Sequence, residues 1–250
     1  NNFGCGSGSS EWQCVDEASP DTSDYLKTSN KNIKESFSFS NSGLATETIN
    51  SVTLYYYAKQ YSSSKYKITP LIRSSGTDYL GNVFNLGASY AYFSQVYMTN
   101  PATGLSWTVA GVDSLEAGMS SYSTNFGGDV TQVYADVDYT LLPDLVISNL
   151  TFFEYIIVVN ATTNYTYVNV TTVVKNIGLG NAGSSTTRLA GLFTNDVSTP
   201  SLTSGQTFTI NREYLCFTAH NYTAITDYFG VVSETNEGNN QQSTFINCII

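Results

Sequence analysis

Cysteines are the residues of this sequence with the clearest chemistry. The 250-residue chain has four, Cys5, Cys14, Cys216 and Cys248, with no CxxC pair and no spacing typical of a zinc site. Cys216 and Cys248 lie in strand-like segments with apolar neighbours, so we predict a disulfide between them, and a second from Cys5 to Cys14 across a Gly/Ser-rich segment. Disulfides persist in oxidising compartments, which indicates an extracellular protein. Four buried free thiols are the alternative.

Catalytic candidates are few. His220 is the single histidine, so a serine or cysteine triad would have to be built around it. Asp136 and Asp138 share one strand face and could support glycoside hydrolysis, but neighbouring outward acids on a strand are usually solvated. The Gly-rich stretch GLGNAG lies between two strand-like runs and indicates a turn, not a phosphate loop. We therefore expect no catalytic residue, no cofactor and no enzymatic activity.

An acidic group near the N-terminus raises the question of a metal. Asp16, Glu17, Asp21 and Asp24 could bind Ca²⁺, yet they lack the regular spacing of a calcium loop, and turns and caps use the same residue types. We expect no metal site.

Covalent sugar is a further candidate chemistry. Five N-x-S/T triplets begin at Asn149, Asn160, Asn164, Asn169 and Asn221. Asn169 also falls on the predicted outer face of its strand, as an attached glycan would require. We take all five as glycosylation candidates, and the Ser/Thr-rich loops as open to O-linked sugar.

Charge excludes several partners. The 20 Asp and Glu outnumber the 10 Lys and Arg, which gives a net charge of −10. Nucleic-acid binding depends on clustered cations, and the basic residues form no cluster. The longest apolar run, residues 152–159, contains Glu154 and is far shorter than the roughly 20 residues of a membrane span. We therefore predict no nucleic-acid partner and no membrane span.

The elements that position these residues have a period of two. Alternation in residues 51–59, 131–140 and 166–174, with turn-rich tracts between them, predicts an all-β protein. Residues 109–119 are the exception and predict about two turns of helix. Pro143 cannot donate to a sheet ladder and best marks the start of a new domain. We thus predict an N-terminal tail at 1–14, a first β-sandwich at 15–142 and a second at 143–250.

The second domain resembles the CARDB family, immunoglobulin-like sandwiches named for cell-adhesion-related proteins of bacteria and archaea. The matching stretches are PDLVISNL from Pro143, VVKNIGLGNAGSS from Val173, SGQTFTI from Ser204 and VVSETNEGNN from Val231. The last, a strand that ends in an E-x-N-E-x-N-N turn, is the strongest mark. The resemblance implies a fold and an extracellular setting, but no single activity.

The first domain is similar to jelly-roll-type β-sandwich modules of microbial surface and phage structural proteins. The similarity lies in ATETINSVTLYYYAK, ITPLIRSSGTDYLG and NPATGLSWTVAGVDSLEAGM. Jelly rolls also resemble many carbohydrate-binding modules.

Two functions follow from these resemblances and from a sequence in which 12% of the residues are charged and 14% are aromatic. The first is a structural subunit of an extracellular filament or cell-surface assembly, a homopolymer joined head to tail through the N-terminal tail. The alternative is a carbohydrate-binding module or adhesin of a secreted microbial protein, with Tyr55, Tyr57, Tyr90 and Tyr92 as a sugar-stacking platform.

The sequon hypothesis predicts that the native protein is heavier than its bare polypeptide. Intact-mass measurement before and after enzymatic deglycosylation checks this, and the difference should disappear after treatment. A native mass equal to that of the polypeptide would rule out both N-linked and O-linked sugar.

Overall fold

The protein consists of two compact units. The computed structural model describes residues 3–6, 8–28, 30–60, 66–122, 128–160 and 163–248. The units are Asn1–Thr140 and Leu141–Ile250, so their boundary lies two residues before the boundary expected from the sequence. Strands dominate both units, and each has two sheets around its own core, which confirms tandem β-sandwiches.

The described part of the first unit contains ten strands and one short α-helix, α1 (Val109–Asp113). The strands are β1 (Gly4–Cys5), β2 (Leu26–Lys27), β3 (Lys34–Ser38), β4 (Thr48–Gln60), β5 (Lys67–Ser74), β6 (Thr77–Leu80), β7 (Phe84–Asn85), β8 (Ala91–Tyr97), β9 (Glu116–Ser121) and β10 (Gly128–Thr140). Their pairings are antiparallel and form two sheets, one in the order β1-β2-β10-β4-β8 and one in the order β3-β9-β5-β6, with β7 on β5.

Strand β4 shows why the two sheets enclose a core. Its alternate residues Val52, Leu54, Tyr56 and Ala58 are fully buried, as the period of two predicts. Tyr56 donates its hydroxyl to the backbone oxygen of Gly118 in the facing sheet at 2.6 Å, which satisfies the polar end of a buried ring.

Trp107 anchors the core of the first unit. The ring is buried, and its indole N–H donates to the Tyr97 backbone oxygen at 2.8 Å. The preceding turn is closed by Asn100, whose backbone oxygen accepts from Gly104 at a positive φ of 71°.

The N-terminal segment, expected as a tail at residues 1–14, is held on the first unit. In its described residues, β1 pairs with β2, Cys5 is bonded to Cys14, and Phe3 is buried in the core of the first unit. Val133 of β10 also donates its N–H to the Val15 oxygen at 3.1 Å. Burial of Phe3 and these backbone pairings hold the segment on its own sandwich.

The predicted helix over 109–119 is wrong beyond residue 113. Thr108 caps α1 by accepting from the Gly111 N–H, and the helix ends at Asp113. The following residues form β9, the strand between β3 and β5. A Cβ on Gly118 would collide with the Glu35 backbone oxygen, so glycine permits the close approach of β9 to β3.

The described part of the second unit contains seven strands. They are β11 (Leu145–Asn160), β12 (Thr163–Asn176), β13 (Ser185–Ala190), β14 (Thr194–Thr199), β15 (Thr207–Leu215), β16 (His220–Ile225) and β17 (Gln241–Ile246). One antiparallel sheet has the order β11-β12-β15 and the other β14-β13-β16-β17. Val168, Val170 and Val174 of β12 are fully buried between them, as predicted.

Asn176 joins the start of the second unit to its glycine-rich loop. Its buried side-chain amide donates to the oxygens of Gly180 and Leu202, and its Oδ1 accepts from the N–H groups of Asp144 and Gly178. All four hydrogen-bond partners of this side chain are backbone groups. The GLGNAG stretch is therefore a structural turn.

All four cysteines lie in described residues and are paired, Cys5 with Cys14 and Cys216 with Cys248. Replacing both Cys216 and Cys248 by serine opens a loop with a sequence separation of 32 residues. We expect the free energy of unfolding of the second unit to fall by about 3 to 4 kcal/mol.

Urea unfolding followed by circular dichroism measures this change. Both tryptophans, Trp12 and Trp107, lie in the first unit. The tryptophan-fluorescence transition should therefore stay in place for C216S/C248S and move for the control pair C5S/C14S. An unchanged circular-dichroism transition for C216S/C248S would contradict the expected contribution.

Candidate functional site

A cluster of tyrosines lies on the outer face of the β1-β2-β10-β4-β8 sheet of the first unit. Residues of β4 that alternate with its buried set point outward, and the register places Tyr55 opposite Tyr134 of β10 and Tyr57 opposite Tyr92 of β8. Tyr90 lies just before β8. We call Tyr55, Tyr57, Tyr90, Tyr92 and Tyr134 the tyrosine face; the sequence predicted four of them as a platform and missed Tyr134 as a member.

The rings of the tyrosine face form two groups. Tyr55 and Tyr134 stack with ring centroids 4.8 Å apart and planes 9° apart. Tyr57 stacks on Tyr90 at 5.3 Å and contacts Tyr92 at 4.7 Å with a 46° tilt. Part of each stacked ring is therefore covered by its neighbour. Tyr92 is the most accessible, with 54% of its surface exposed.

Polar groups fix the Tyr92 group in place. The Tyr92 hydroxyl donates to Gln132 Oε1 at 3.4 Å, and Gln132 donates its Nε2 to the Glu17 backbone oxygen at 2.7 Å. Lys59 lies over the Tyr90 ring, 4.5 Å from its centroid, and forms an ion pair with buried Asp129 at 3.6 Å.

Burial and the Asp129 charge raise the pKa of Tyr90 to about 12. The phenol is thus a neutral hydrogen-bond donor at physiological pH.

A cleft of about 240 Å³ adjoins the tyrosine face. Trp12 and Tyr134 line it together with Asp16, while Phe37 and Val133 form apolar wall. Trp12 comes from the N-terminal segment and is 54% exposed. Because Tyr134 also stacks on Tyr55, aromatic surface continues from the cleft onto the tyrosine face. This volume lies below the roughly 300 Å³ at which small-molecule pockets usually start, so the cleft suits one ring of a longer ligand.

Two of the N-terminal acids, Asp21 and Glu17, lie in different surroundings. Asp21 accepts from the Ser23 N–H at 2.8 Å, which is a turn, and the pKa of this carboxyl is lowered by that bond. Burial raises the pKa of Glu17 to about 7, and the neighbouring carboxyls of Asp24 and Asp16 add to the shift.

Asp136 and Asp138, the pair considered for glycoside hydrolysis, are both exposed on β10. They lie on the outer side of the sheet that carries the tyrosine face. Their position is that of solvated surface acids.

His220 has both ring nitrogens in hydrogen bonds. Nε2 pairs with the Tyr214 hydroxyl at 2.8 Å and Nδ1 with the Thr218 backbone oxygen at 2.9 Å. The cysteines near it, Cys216 and Cys248, are bonded to each other. The structure places His220 in a packing role beside the disulfide.

The E-x-N-E-x-N-N turn brings carboxylates together in the second unit. Oxygen atoms of Asp227, Glu234 and Glu237 lie within 4.8 Å of one another. Each accepts backbone donors: Asp227 from Val231 and Val232, Glu234 from Leu145, and Glu237 from Glu234. Glu234 thus ties the turn to the first residue of β11.

Four of the sequon asparagines are exposed: Asn149, Asn160, Asn164 and Asn221. Asn169 is half-buried, and its Oδ1 is enclosed without a hydrogen bond in a strand paired on both sides. Thr162, which completes the triplet of Asn160, lies outside the described residues. Accessibility therefore favours the four over Asn169.

Comparison with known protein families supports the assignment of the C-terminal half. Both units are β-sandwiches, and residues 142–244 match the family model CARDB, so the resemblance of the C-terminal half to that family is confirmed. No curated protein matches the chain.

Several solved structures are similar in parts. A GH2 β-galacturonidase from Eisenbergiella tayi bound to galacturonate has a TM-score of 0.27 and 10% identity, over 86% of this chain and 35% of the enzyme. The N-terminal CBM22-1–CBM22-2 tandem domain of Paenibacillus barcinonensis Xyn10C has a TM-score of 0.32 and 10% identity, over 93% and 89%. The chain thus spans about a third of the enzyme's length. Likeness at these TM-scores carries no functional implication.

No helix in the described part of the chain combines the length and the apolar character needed to cross a membrane. The CARDB match and the two disulfides are consistent with a secreted or surface protein.

The Glu234 contacts predict a pH dependence of stability. Burial raises the pKa of Glu234 to about 7, from 4.5, and the charges of Glu237, Asp227 and Asp144 add to the shift. The folded state therefore binds this proton more tightly than the unfolded state. The resulting stabilisation is complete below about pH 4.5 and is lost as the pH rises to about 7.

Glu234→Gln removes this titration, so the variant should lose less stability than wild type between about pH 5 and pH 8. Urea midpoints of both proteins at the two pH values measure the difference. Asn240, whose Nδ2 donates to Glu234 Oε1, has an unpartnered Oδ1 that can turn to accept from the new amide. Equal pH dependence in the two proteins would contradict the shifted pKa.

Proposed function

We propose that this chain is a non-catalytic, secreted β-sandwich protein that binds neutral polysaccharide through the tyrosine face and the adjoining cleft of its first unit. The single observation that carries the proposal is the continuous aromatic surface formed by Trp12, Tyr134 and Tyr55 and bordered by Tyr57, Tyr90 and Tyr92.

The chemistry of that surface suits sugar rings. The C–H groups of a pyranose carry partial positive charge and pack on the negative face of an aromatic ring. Tyr92 and Trp12 offer accessible ring surface, while the Tyr92 hydroxyl and Asp16 supply hydrogen-bonding groups beside it. A flat strand face with a single-ring cleft fits an extended chain of sugars better than a small compact ligand.

Charge selects among polysaccharides. The protein carries a net charge of −10, and Asp16, Asp136 and Asp138 lie on or next to the proposed binding surface. Acidic polymers such as polygalacturonate would be repelled, most strongly at low salt. Neutral glucans, xylans and mannans are therefore the expected class.

The proposal includes an extracellular setting and covalent sugar on the second unit. Two disulfides support the former. The exposed positions of Asn149, Asn160, Asn164 and Asn221 support the latter.

The filament hypothesis in its original form is less well supported. A head-to-tail homopolymer joined through residues 1–14 needs that segment to be available to a neighbour. Phe3 and Cys14 are instead buried in the segment's own unit, and β1 is already paired. Contacts between copies of the chain would therefore have to use other surfaces.

Tyr92→Ala tests the sugar-binding proposal. Because an aromatic contact is worth about 0.5–1.5 kcal/mol, we expect affinity for a bound neutral polysaccharide to fall by roughly 2- to 13-fold. Affinity electrophoresis against neutral glucan, xylan and mannan, with polygalacturonate as the acidic comparison, measures the loss.

Tyr122→Ala is the matched control. Tyr122 is 53% exposed, in the same unit but directly after β9, outside the tyrosine face. It should leave binding unchanged. The proposal fails if wild type is retarded by none of the neutral polymers, or if both substitutions weaken binding equally.

A further inference from the structure

The loop between β16 and β17, residues 226–240, gathers three acids and one amide. One carboxylate oxygen from each of Asp227, Glu234 and Glu237 lies within 4.8 Å of the other two. The side chain of Asn240 contacts this group, because its Nδ2 donates to Glu234 Oε1 at 3.3 Å. We call these four residues the acid loop.

Two carboxylates of the acid loop are largely removed from water. Asp227 is 4% and Glu234 is 8% exposed. Asp144 adds a fourth acid nearby, since Asn239 donates to its Oδ1 and the next residue, Leu145, donates to Glu234. None of the ion pairs in the described part of the chain includes any of these acids. Because buried charges in proteins are normally paired or coordinate a metal, this group of carboxylates calls for a cation.

Asn240 is a second and independent indication of a ligand. Its side chain belongs to the buried set, and its Oδ1 has no hydrogen-bond partner in the described part of the chain. The residue is held beside the acids from two sides: its amide meets Glu234, and its backbone oxygen accepts from the N–H of Thr226, the neighbour of Asp227. A half-turn of the amide presents the unpartnered oxygen to the same carboxylates. An orphaned buried acceptor is costly unless something donates to it or coordinates it.

We propose that the acid loop binds one Ca²⁺ ion through the carboxylates of Asp227, Glu234 and Glu237 and the side-chain oxygen of Asn240. The proposal is independent of sugar binding by the first unit. Because Glu234 also accepts from the first residue of β11, the ion ties the loop between β16 and β17 to the start of the second unit.

The spacing of the oxygens suits calcium. Ca²⁺ holds oxygen ligands at about 2.3–2.6 Å, so two ligands of one ion lie up to about 5 Å apart. The three carboxylate oxygens, within 4.8 Å of one another, meet this condition. Mg²⁺ usually keeps several waters and takes only one or two carboxylates. Zn²⁺ prefers sulfur and imidazole ligands, and residues 226–240 contain neither cysteine nor histidine.

The carboxylates retain room for a cation although they already accept hydrogen bonds. An ionised carboxylate has about four acceptor positions. Asp227 accepts from two backbone N–H groups, Glu234 from Leu145 and Asn240, and Glu237 from the Glu234 N–H. These bonds orient the three groups before an ion arrives, which lowers the cost of ordering them on binding.

The other groups of potential ligands in the described residues differ in chemistry. One combines His220 with Cys216 and Cys248, and the other combines Asp24 with Cys5 and Cys14. All four cysteines are disulfide-bonded and offer no thiolate. The sequence suggested no metal site because Asp227 lies seven positions before Glu234, outside the E-x-N-E-x-N-N turn.

Titration calorimetry of the full chain, dialysed free of metal, tests the site with CaCl₂ and MgCl₂. We expect one Ca²⁺ per chain with a dissociation constant of about 10⁻⁴ to 10⁻³ M, as in extracellular modules, and weaker Mg²⁺ binding. Glu237→Gln should weaken Ca²⁺ binding by about tenfold or more, because affinity depends on the number of charged ligands. Glu237 is exposed, and glutamine can still accept from the Glu234 N–H, so the variant keeps the loop.

Asp24→Asn is the matched control. It removes one charge from the N-terminal acids of the first unit and should leave Ca²⁺ binding unchanged. Circular dichroism checks that both variants are folded.

Asn240→Asp separates a ligand from a residue that only supports the turn. The new carboxylate adds repulsion in EDTA but a charged ligand in Ca²⁺, so the urea midpoint should rise more with Ca²⁺ in this variant than in wild type. In wild type, about 10 mM Ca²⁺ should raise the folded-to-unfolded ratio of the second unit about 10- to 100-fold. The pH dependence described for Glu234 is that of the metal-free chain and is measured in EDTA.

Four results would overturn the proposal. The first is wild type that shows neither binding heat nor a changed urea midpoint at about 10 mM Ca²⁺. The second is equal weakening by E237Q and D24N, and the third is Mg²⁺ binding as tight as Ca²⁺ binding. The fourth is an N240D variant that loses the same stability with and without Ca²⁺, as a purely structural asparagine would.

Discussion

The register of β4 is the constraint on which the first unit depends. Three consecutive tyrosines occupy positions 55 to 57, and a shift by one residue would exchange their faces. Tyr56 settles the choice, because its ring is fully buried and its hydroxyl reaches the Gly118 oxygen of the opposite sheet. Tyr55 and Tyr57 are thereby held outward, where β8 and β10 supply their stacking partners.

The second unit applies the same alternation with a different result. Val168 and Val170 of β12 enter the core, as Leu150 of β11 does. From residue 156 to residue 160 every residue of β11 is exposed, so the same alternation leaves apolar side chains in water on both faces there. One unit therefore presents an aromatic surface next to polar groups, and the other presents apolar strand surface with a free edge.

Strand positions and core faces could largely be predicted from the sequence. The alternation in residues 51–59 and 166–174 correctly identified the buried side chains, because period-two burial is a local property. The helix prediction was wrong beyond Asp113. Ala, Leu and Glu favour a helix locally, but pairing of β9 with β3 and β5 makes the segment a strand.

The candidate site could be predicted only in part. Tyr55 and Tyr57 point outward by the alternation in β4, and Tyr92 lies two positions after Tyr90 in the sequence. Trp12 and Tyr134 are 122 positions apart, and nothing local indicates that the N-terminal segment returns along β10 to form a cleft with them. The sequence also did not predict that the β11–β12 hairpin extends past its neighbouring strand, because this depends on where β15 ends.

The two tryptophans allow the most direct test of sugar binding at the first unit. Trp12 lines the cleft and is exposed, whereas Trp107 is buried with its indole N–H bonded to Tyr97. In a titration of ¹⁵N-labelled protein with a neutral oligosaccharide, the account predicts that the Trp12 indole resonance shifts and the Trp107 resonance stays. Two unchanged indole resonances at saturating oligosaccharide, or a shift of Trp107 alone, would contradict it.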